Sequence, residues 1–387
     1  MARFLLFLGM VGKAVGCGRG SSRLGDGDVA QANRGSKIGC PYGTHRVIEP
    51  RGGLPQAAWR LDNSGQIFDN EILLDVRTLN IDAASFKQIV STCRPDASKA
   101  ELEEHVAVTV MKIVSERGKM QNPVTGSGGM LLGTVREFGS RVQGARGTKV
   151  GDLVATLVSL SLTPLRLESV TRVDLDKDQV DVIGQAVLFE SGPFAVIPED
   201  IGERLALALL DVAGAPAQTA RLVQPGDSVL ILGAGGKSGL ICSAVARQKG
   251  GPKARIIGLA HGKASTERAK ALGAADVLIS ADATDALGLM KQVVDLNDGK
   301  KVDLTINCVN VPGTEMASIL STRQRGKVYF FSMATSFTAA ALGAEGAGAD
   351  VDLLIGNGYA EGHAEAALDL ARSDARLRGI LEGMFPG

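Results

Sequence analysis

A glycine-rich turn directly follows a short apolar run in the second half of the chain. Residues 227–239 read Asp-Ser-Val-Leu-Ile-Leu-Gly-Ala-Gly-Gly-Lys-Ser-Gly, and the seven residues after them have the pattern of a helix. Such a turn lets the backbone approach a pyrophosphate, whose charge is then bound by the free N–H groups and the dipole of the helix. This order of strand, turn and helix predicts a dinucleotide site, formed by Gly233, Gly235, Gly236, Lys237, Ser238 and Gly239.

Two other interpretations of the turn have less support. A turn of this composition can simply join a strand to a helix. A triphosphate-binding loop would need a glycine five residues before Gly236, and Ile231 occupies that position. The sequence therefore favours a dinucleotide site over that of an ATPase.

The residues after the next predicted strand leave the type of dinucleotide open. An acidic residue about 20 residues beyond the turn would bind the ribose hydroxyls of NAD. Residues 258–263 read Gly-Leu-Ala-His-Gly-Lys and contain no acid. The basic side chains of His261, Lys263 and Arg268 can instead accept a 2′-phosphate, or they can lie solvated at the start of a helix. These residues favour NADP or the use of both dinucleotides.

The composition is that of an ordinary globular protein with room for two domains. The 42 basic residues balance the 42 acidic ones, which argues against nucleic acid or an anionic membrane as the main partner. Five cysteines are dispersed without a Cys-x-x-Cys pair, and only four histidines are present. This predicts reduced thiols in the cytoplasm and argues against a disulfide framework, a zinc knuckle or a histidine-rich metal site.

The start of the chain does not fit the pattern of the rest. Residues 4–8 (Phe-Leu-Leu-Phe-Leu) follow Arg3 and resemble the beginning of a signal peptide, but Lys13 interrupts the apolar run and no clean cleavage site follows. We therefore expect residues 1–38 to form a disordered or irregular extension of a cytoplasmic protein. No other segment has the length and apolar character of a membrane span.

Two patterns of secondary structure divide the remaining chain. Residues 39–200 predict an irregular β-rich domain, with strand candidates at 71–76, 130–135, 152–158 and 195–198 and a helix over 99–116 that has Val106, Val110 and Ile113 on one face. Residues 205–222 predict a helical bridge. Strands and helices then alternate regularly, with strands at 229–232, 255–260, 277–280, 303–309, 327–332 and 352–356 and helices such as 265–272 and 287–297.

This alternation predicts an α/β fold with a doubly wound parallel Rossmann sheet over residues 201–357. The last stretch, 358–387, is a candidate to return to the first domain. Asn310 and Ser332 follow the fourth and fifth predicted strands of this sheet. The carboxyl ends of such strands face the nicotinamide, so these two residues are predicted to contact the cofactor.

Three ordered motifs resemble the medium-chain dehydrogenase/reductase superfamily. They are Gly-Thr-Val-Arg-Glu-Phe-Gly at 133–139, Lys-Val-Gly-Asp-Leu-Val at 149–154, and Gln-Pro-Gly-Asp-Ser-Val at 224–229, which leads into the cofactor turn. The resemblance implies a GroES-like substrate domain over 39–200, an active site in the cleft between the domains, and a homodimer or homotetramer.

Longer blocks resemble, more narrowly, the family of 3,5-diaminohexanoate dehydrogenases of lysine fermentation. These blocks are residues 43–50, 119–129, 210–218, 306–315 and 331–337. The resemblance implies oxidative deamination of the small diamino acid at C3, to 5-amino-3-oxohexanoate and ammonia, with NAD as the family's cofactor. Together with the basic residues at 261–268, the prediction is NAD or NADP.

Two aspartates occupy positions that bind zinc in other members of the superfamily. Aligned with the zinc-dependent members, the three ligand positions are Asp82, about Gly129, and Asp211, so the histidine ligand is missing. Two carboxylates alone make a poor zinc site, and we predict an active site without metal. We hypothesise instead that Asp82 and Asp211 pair with the two substrate amines and that one of them is the general base. The alternative for each is a helix or strand cap.

Other polar residues are weaker candidates. Glu190 lies in an apolar run where an acid is costly unless it is paired or catalytic. His45 is a candidate to bind the substrate or to transfer protons, although a lone histidine is more often structural. A polar loop flanked by glycines is predicted to bind the substrate carboxylate, through Lys119, Asn122, Thr125 and Ser127.

Two alternative functions remain on the same fold. One is a zinc-free, NADPH-dependent quinone or enoyl reductase, for which acids lining the cleft would be unexpected because its substrates are uncharged or anionic. The other is a relative that binds the nucleotide without catalysis.

Overall fold

The structure of the protein is a computed structural model that describes residues 37–332, 334–356 and 358–386. The predicted N-terminal extension therefore falls almost entirely outside the described residues. Within them, two six-stranded sheets form, each with its own hydrophobic core. One sheet is built from the first half of the chain and the other from the second half.

The first half forms a β-rich part in which every neighbouring pair of strands is antiparallel. Its elements are β1 (Val47–Glu49), β2 (Arg60–Leu61), β3 (Glu71–Asn80), α1 (Ala83–Ser91), α2 (Lys99–Arg117), β4 (Met130–Phe138), β5 (Leu153–Thr156), β6 (Leu165–Asp174), β7 (Gln179–Phe189) and β8 (Phe194–Val196). The large sheet has the order β6-β7-β3-β4-β5-β8, and β1 and β2 pair separately.

Helix α2 covers the core of this sheet with the face that the sequence predicts. Val106, Val110 and Ile113 are buried, so the predicted helix and its apolar side are confirmed. A reciprocal pair of hydrogen bonds between Ser98 and Glu101 caps the start of the helix. Its end is fixed by Gly118, whose φ of 65° is a left-handed conformation that favours glycine.

The second half forms a wholly parallel sheet with helices between its strands. Its elements are α3 (Glu203–Leu210), α4 (Gly214–Leu222), β9 (Ser228–Leu232), α5 (Lys237–Gly250), β10 (Arg255–Leu259), α6 (Lys263–Leu272), β11 (Val277–Ile279), α7 (Ala286–Leu296), β12 (Val302–Asn307), α8 (Glu315–Ser321), β13 (Thr322–Phe330), α9 (Phe337–Gly346), β14 (Asp352–Ile355), α10 (His363–Ser373) and α11 (Ala375–Met384).

The strand order β11-β10-β9-β12-β13-β14 confirms the predicted doubly wound Rossmann sheet. The order reverses between β9 and β12, which is where such sheets bind their ligands. Leu232, the last residue of β9, is in register with Leu259 of β10 and Asn307 of β12. The loops that follow these three strands therefore open at one edge of the sheet.

The bridge between the two sheets differs from a single helix. It consists of α3 and α4, separated by a short break at residues 211–213. A side chain at Gly214 would overlap the backbone of Gly358, so only glycine allows the start of α4 to lie this close to the segment after β14. Because of the break, Asp211 lies at the end of α3 and not in the middle of a helix.

The C-terminal helices pack on helices of the second half. Helix α10 contacts α3 and α4, and α11 contacts α5 and α6. The predicted boundary near residue 200 falls between β8 and α3. The domain limits stay predictions, including the return of the last segment to the first domain. None of the helices in the described part of the chain is both long and apolar enough to cross a membrane.

Candidate active site

The glycine-rich turn between β9 and α5 has the close backbone approaches that the sequence predicts. Gly233 has a φ of 83°, in the left-handed region. A side chain on Gly235 would overlap the carbonyl oxygen of Ser265, and one on Gly239 would overlap that of Gly233. At Gly235 and Gly239 the backbone therefore approaches its neighbours more closely than a side chain would allow.

Helix α5 begins at this turn without a side chain that caps it. Gly236 is the N-cap residue and makes no side-chain hydrogen bond, so the N–H groups of Lys237, Ser238 and Gly239 have no intrahelical partner. These N–H groups lie at the positive end of the helix dipole, where a pyrophosphate binds. The residues present thus fit a dinucleotide, whose phosphates the N–H groups at the start of α5 would hold.

The three basic residues after β10 differ in how they are placed. His261 and Lys263 are exposed at the start of α6. The Arg268 guanidinium donates to the carbonyl oxygen of Gly235 at 2.9 Å, so Arg268 supports the glycine turn from behind. His261 and Lys263 remain available to a ligand, whereas part of Arg268 is already used.

Asn310 and Ser332 lie together after the ends of β12 and β13. The Ser332 hydroxyl lies 3.5 Å from Asn310 Oδ1, and the same hydroxyl accepts a hydrogen bond from the Ala334 N–H at 3.2 Å. Ser332 is buried and Asn310 is exposed. Their predicted contact with the nicotinamide stays a prediction.

Asp211 forms an ion pair with the first residue of α5. Lys237 Nζ donates to Asp211 Oδ2 at 2.6 Å, and the two side chains are 23% and 27% exposed. The Lys237 ammonium also lies 5.6 Å from the centre of the Phe385 ring, so an aromatic face borders the pair. A residue predicted to be catalytic and one predicted to bind the cofactor are thus in direct contact.

Asp82 caps helix α1 with only one of its carboxylate oxygens. Oδ1 accepts a hydrogen bond from the Ser85 N–H at 3.0 Å. Oδ2 is buried and has no hydrogen-bond partner among the described residues. A side chain on Gly129 would lie against the Asp82 backbone, so the aligned zinc-ligand position is beside Asp82 in space. The predicted helix cap exists, yet it leaves half of the carboxylate unused.

A third carboxylate, not identified from the sequence, belongs to Asp178 in the turn between β6 and β7. Burial raises the pKa of its carboxyl to about 6; the charges of Lys87 and Lys237 lower the pKa, and those of Asp82 and Asp211 raise it. These mutual effects place all five charges in one region. Three carboxylates face two ammonium groups there, which leaves an excess of negative charge for a cationic ligand.

The polar loop at residues 119–129 packs against the start of α1. Thr125 Oγ1 shares a hydrogen bond with Ser85 Oγ, and Asn122 Nδ2 donates to Gln88 Oε1 at 2.7 Å. The structure thereby brings the loop close to Asp82. Thr125 is exposed and Ser127 is half-buried, so both are open to a ligand, whereas the Asn122 side chain is buried in contacts within the protein.

Lys119 lies away from solvent and its ammonium is already bonded. Nζ donates to the carbonyl oxygens of Pro55 at 2.6 Å and Gln56 at 3.3 Å. Burial, and then the charge of Arg117, lower the pKa of Lys119 to about 7. Its contacts are those of a structural residue, and its predicted binding of a substrate carboxylate stays a prediction.

His45 and Glu190 belong to a separate polar cluster at the start of the β-rich part. His45 Nε2 lies 2.8 Å from Glu71, which also accepts two hydrogen bonds from Arg46 at 2.7 and 2.6 Å. Burial raises the pKa of Glu71, but the hydrogen bonds and charge of Arg46 outweigh this and lower it. Glu190 is exposed and accepts from Asn70 at 3.0 Å.

These contacts give His45 and Glu190 structural partners, and no described contact joins them to Asp82, Asp178 or Asp211. The apolar run predicts a buried acid at 190, but Glu190 follows the last residue of β7 and its side chain reaches the surface. Their predicted roles in substrate binding and catalysis stay predictions.

In the part of the chain that the structure describes, no group of three histidine, cysteine or acidic side chains is arranged to hold a metal ion. Near Asp211, the positive charge is that of the Lys237 ammonium. This arrangement does not test the prediction of a metal-free site, which stays a prediction.

Comparison with known proteins relates the whole of this architecture to one group of enzymes. The family model described as the L-erythro-3,5-diaminohexanoate dehydrogenase N-terminal domain matches residues 45–198. A protein of that enzyme name from Acetoanaerobium sticklandii is 53% identical over 347 residues, which cover 90% of this chain and 99% of the relative. One of the same name from Fusobacterium nucleatum subsp. nucleatum is 50% identical over 349 residues, with coverage of 90% and 99%.

A solved structure supports the fold independently. A mycobacterial protein in complex with NADPH superposes with a TM-score of 0.54 and 19% identity, covering 86% of this chain and 94% of that one. At this identity the likeness concerns the fold, and it agrees with the parallel sheet and the separate antiparallel sheet described above.

Proposed function

The chain belongs to the L-erythro-3,5-diaminohexanoate dehydrogenase family, and from this we propose that it catalyses the NAD(P)-dependent oxidative deamination of L-erythro-3,5-diaminohexanoate at C3. The products are 5-amino-3-oxohexanoate and ammonia. The observation that carries the proposal is the group of three carboxylates beside the cofactor turn, one of which contacts the first residue of α5.

The charge of this group suits the substrate. At neutral pH the diamino acid carries two ammonium groups and one carboxylate, so its net charge is positive. Asp82 offers a buried carboxylate oxygen that has no hydrogen-bond partner among the described residues. A cation bound there would offset the free-energy cost of burying this oxygen without a partner. Asp211 extends the same negative region towards Lys237 and the turn. We assign Asp82 and Asp211 to the binding of the two ammonium groups.

The substrate carboxylate needs donors on the other side of the pocket. The exposed hydroxyl of Thr125 and the neighbouring Ser127 lie on the loop that packs against α1. We assign these two residues to the carboxylate, because Thr125 is exposed and Ser127 half-buried, whereas Lys119 and Asn122 are fully buried.

NAD(P) supplies the oxidant, which accepts a hydride from C3 when it is bound. The glycine turn and the uncapped start of α5 would hold its pyrophosphate. The connection from β10 to α6 carries the exposed His261 and Lys263 and no acid, which supports NADP or the use of both cofactors. The fold relative that was solved with NADPH agrees with this.

The edge of the parallel sheet offers a surface for self-association. Among the described strands, β14 pairs with β13 alone. Ile355 on β14 is 57% exposed, and Leu342 on α9 is 63% exposed. We propose a homodimer or homotetramer formed through this edge, in the cytoplasm, where nicotinamide cofactors are kept. Sedimentation of the purified protein would test the oligomeric state.

The function is tested by following the absorbance of reduced nicotinamide with the diamine and either NAD or NADP, with and without a chelator. We expect reduction of the cofactor with release of ammonia, unaffected by the chelator. The cofactor with the higher kcat/KM identifies the preferred dinucleotide. Absence of reduction, combined with oxidation of NADPH by an enone or a quinone, would replace the proposal with the reductase alternative.

A further inference from the structure

Asp178 is held rigidly at the tip of the hairpin formed by β6 and β7. Its φ of 57° is left-handed, which is uncommon for a residue with a side chain, although aspartate and asparagine tolerate it. Its carbonyl oxygen accepts a hydrogen bond from the Ile81 N–H at 3.0 Å. The tip is thereby fixed to the residue that precedes Asp82, which brings Asp178 close to Asp82.

The carboxylate of Asp178 differs from the other two acids in having no partner. Asp211 is paired with Lys237, and Asp82 uses one oxygen to cap α1. Within the described residues, the Asp178 side chain makes neither a hydrogen bond nor an ion pair, while its backbone is anchored. Asp178 is therefore the one of these three acids whose carboxylate oxygens are both unengaged by any described residue.

The charges around Asp178 come from three helices or their caps. Lys87 lies on α1, Lys237 begins α5, Asp82 precedes α1 and Asp211 ends α3. Burial is the largest influence and the two aspartates add to it, so the pKa of the Asp178 carboxyl rises to about 6 despite the two lysines. A general base is most effective when its pKa is near the pH at which it works.

We propose that Asp178 is the general base of the reaction, a role that rests on the proposed function. Its carboxylate accepts one proton from the C3 ammonium, which leaves an amine with a free lone pair. That lone pair forms the C=N bond as hydride passes from C3 to the oxidised nicotinamide. Water then adds to C3 of the imine, and ammonia leaves as the ketone forms. This replaces the earlier hypothesis that Asp82 or Asp211 takes the proton.

The test compares Asp178→Asn with Asp176→Asn, an equal change of charge at an exposed position of the same hairpin. Asparagine keeps the tolerance for the left-handed backbone but cannot accept the proton. At neutral pH we expect kcat/KM for the diamine to fall roughly 10²–10⁴-fold in Asp178→Asn and to stay unchanged in Asp176→Asn. The affinity for reduced cofactor, measured by fluorescence, should be that of the wild type in both.

The pH profile separates a base from a residue that only binds or positions. In the wild type, kcat/KM should decline below about pH 6 as Asp178 becomes protonated. In Asp178→Asn that decline should disappear, and the deficit should shrink as the pH rises, because a growing share of the substrate amine is already unprotonated. Asp178→Glu, which restores a carboxyl group, should recover part of the rate and the acid-side decline.

Two results would overturn the assignment while leaving the proposed function intact. One is an Asp178→Asn variant with the rate and pH profile of the wild type. The other is a deficit of the same size at every pH. If the wild type itself fails to reduce either cofactor with the diamine, the proposed function fails, and the role of Asp178 fails with it.

Discussion

Lys237 and Asp211 join the cofactor turn to the candidate substrate pocket through a contact of 2.6 Å between Nζ and Oδ2. Lys237 begins α5, the helix whose N–H groups would bind the pyrophosphate. Asp211 ends α3, the first of the two helices that precede the Rossmann sheet. Both side chains are partly open to solvent. Such a pair contributes little to stability, so its importance should lie in catalysis.

A double-mutant cycle on this pair measures that coupling. Asp211→Asn is expected to lower kcat/KM for the diamine roughly 10²-fold, because it removes charge from the pocket and leaves Lys237 without its partner. Lys237→Met should also lower it, and the double variant should lose less than the product of the two losses. Glu382→Gln, which breaks an exposed pair with Arg378, is the matched control and should leave the kinetics unchanged. Losses that multiply would show that the two residues act independently.

Gly235→Ala tests the geometry of the turn. The added methyl group would overlap the Ser265 carbonyl, so the turn must open and the site for the pyrophosphate is distorted. The Kd for reduced cofactor should rise about tenfold or more, a change of about 1.4 kcal/mol. Gly379→Ala, at a position of α11 with open space, should leave the Kd unchanged and raise the Tm slightly. An unchanged Kd in Gly235→Ala would contradict the predicted site.

Lys263→Asn tests the choice of cofactor. If the exposed start of α6 receives a 2′-phosphate, loss of this charge should reduce kcat/KM with NADP roughly tenfold and affect NAD little. Lys270→Asn, near the other end of the same helix, removes the same charge from an exposed position and serves as control. Equal effects on both cofactors would place Lys263 outside the 2′-phosphate site.

Lys119→Met tests the cost of a buried ammonium. The pKa of Lys119 falls from 10.5 to about 7 on folding, so between these values the unfolded chain binds more protons. Below about pH 7 the buried ammonium lowers the free energy of unfolding by its full amount. Above that pH the free energy of unfolding rises again, by up to about 1.4 kcal/mol per pH unit. Denaturant unfolding at pH 7 and 9 should show this gain in the wild type and not in Lys119→Met. The control is exposed Lys112→Met, and a gain that persists in Lys119→Met would contradict the assignment.

The parallel half of the fold was largely predictable from the sequence. Strands predicted at 229–232 and 255–260 correspond to Ser228–Leu232 and Arg255–Leu259, because buried parallel strands are short, continuous apolar runs between turns. The predicted helix at 265–272 begins two residues earlier, at Lys263. The glycine turn was equally predictable, because the spacing of its glycines reflects close contacts of the backbone.

The hairpin of β6 and β7 was not predicted, and Asp178 was missed with it. Strand β6 lies at the edge of the antiparallel sheet and carries several exposed charges, which weakens its apolar pattern, and β7 lies next to it. A signal was present, because turn-forming residues at 174–178 separate two alternating segments. The position of the tip beside Asp82 is set by the Ile81–Asp178 hydrogen bond, a tertiary contact that local sequence does not reveal.

The position of Asp178 at the tip of the hairpin limits how the length of this hairpin can vary. Side chains along a strand alternate between the two faces, so adding or removing one residue in β7 would exchange the buried and exposed positions of every residue beyond it. A change in the tip would also move Asp178 away from its anchor at Ile81. For anyone who redesigns this protein, the exposed residues of the hairpin are open to replacement, but its length is not.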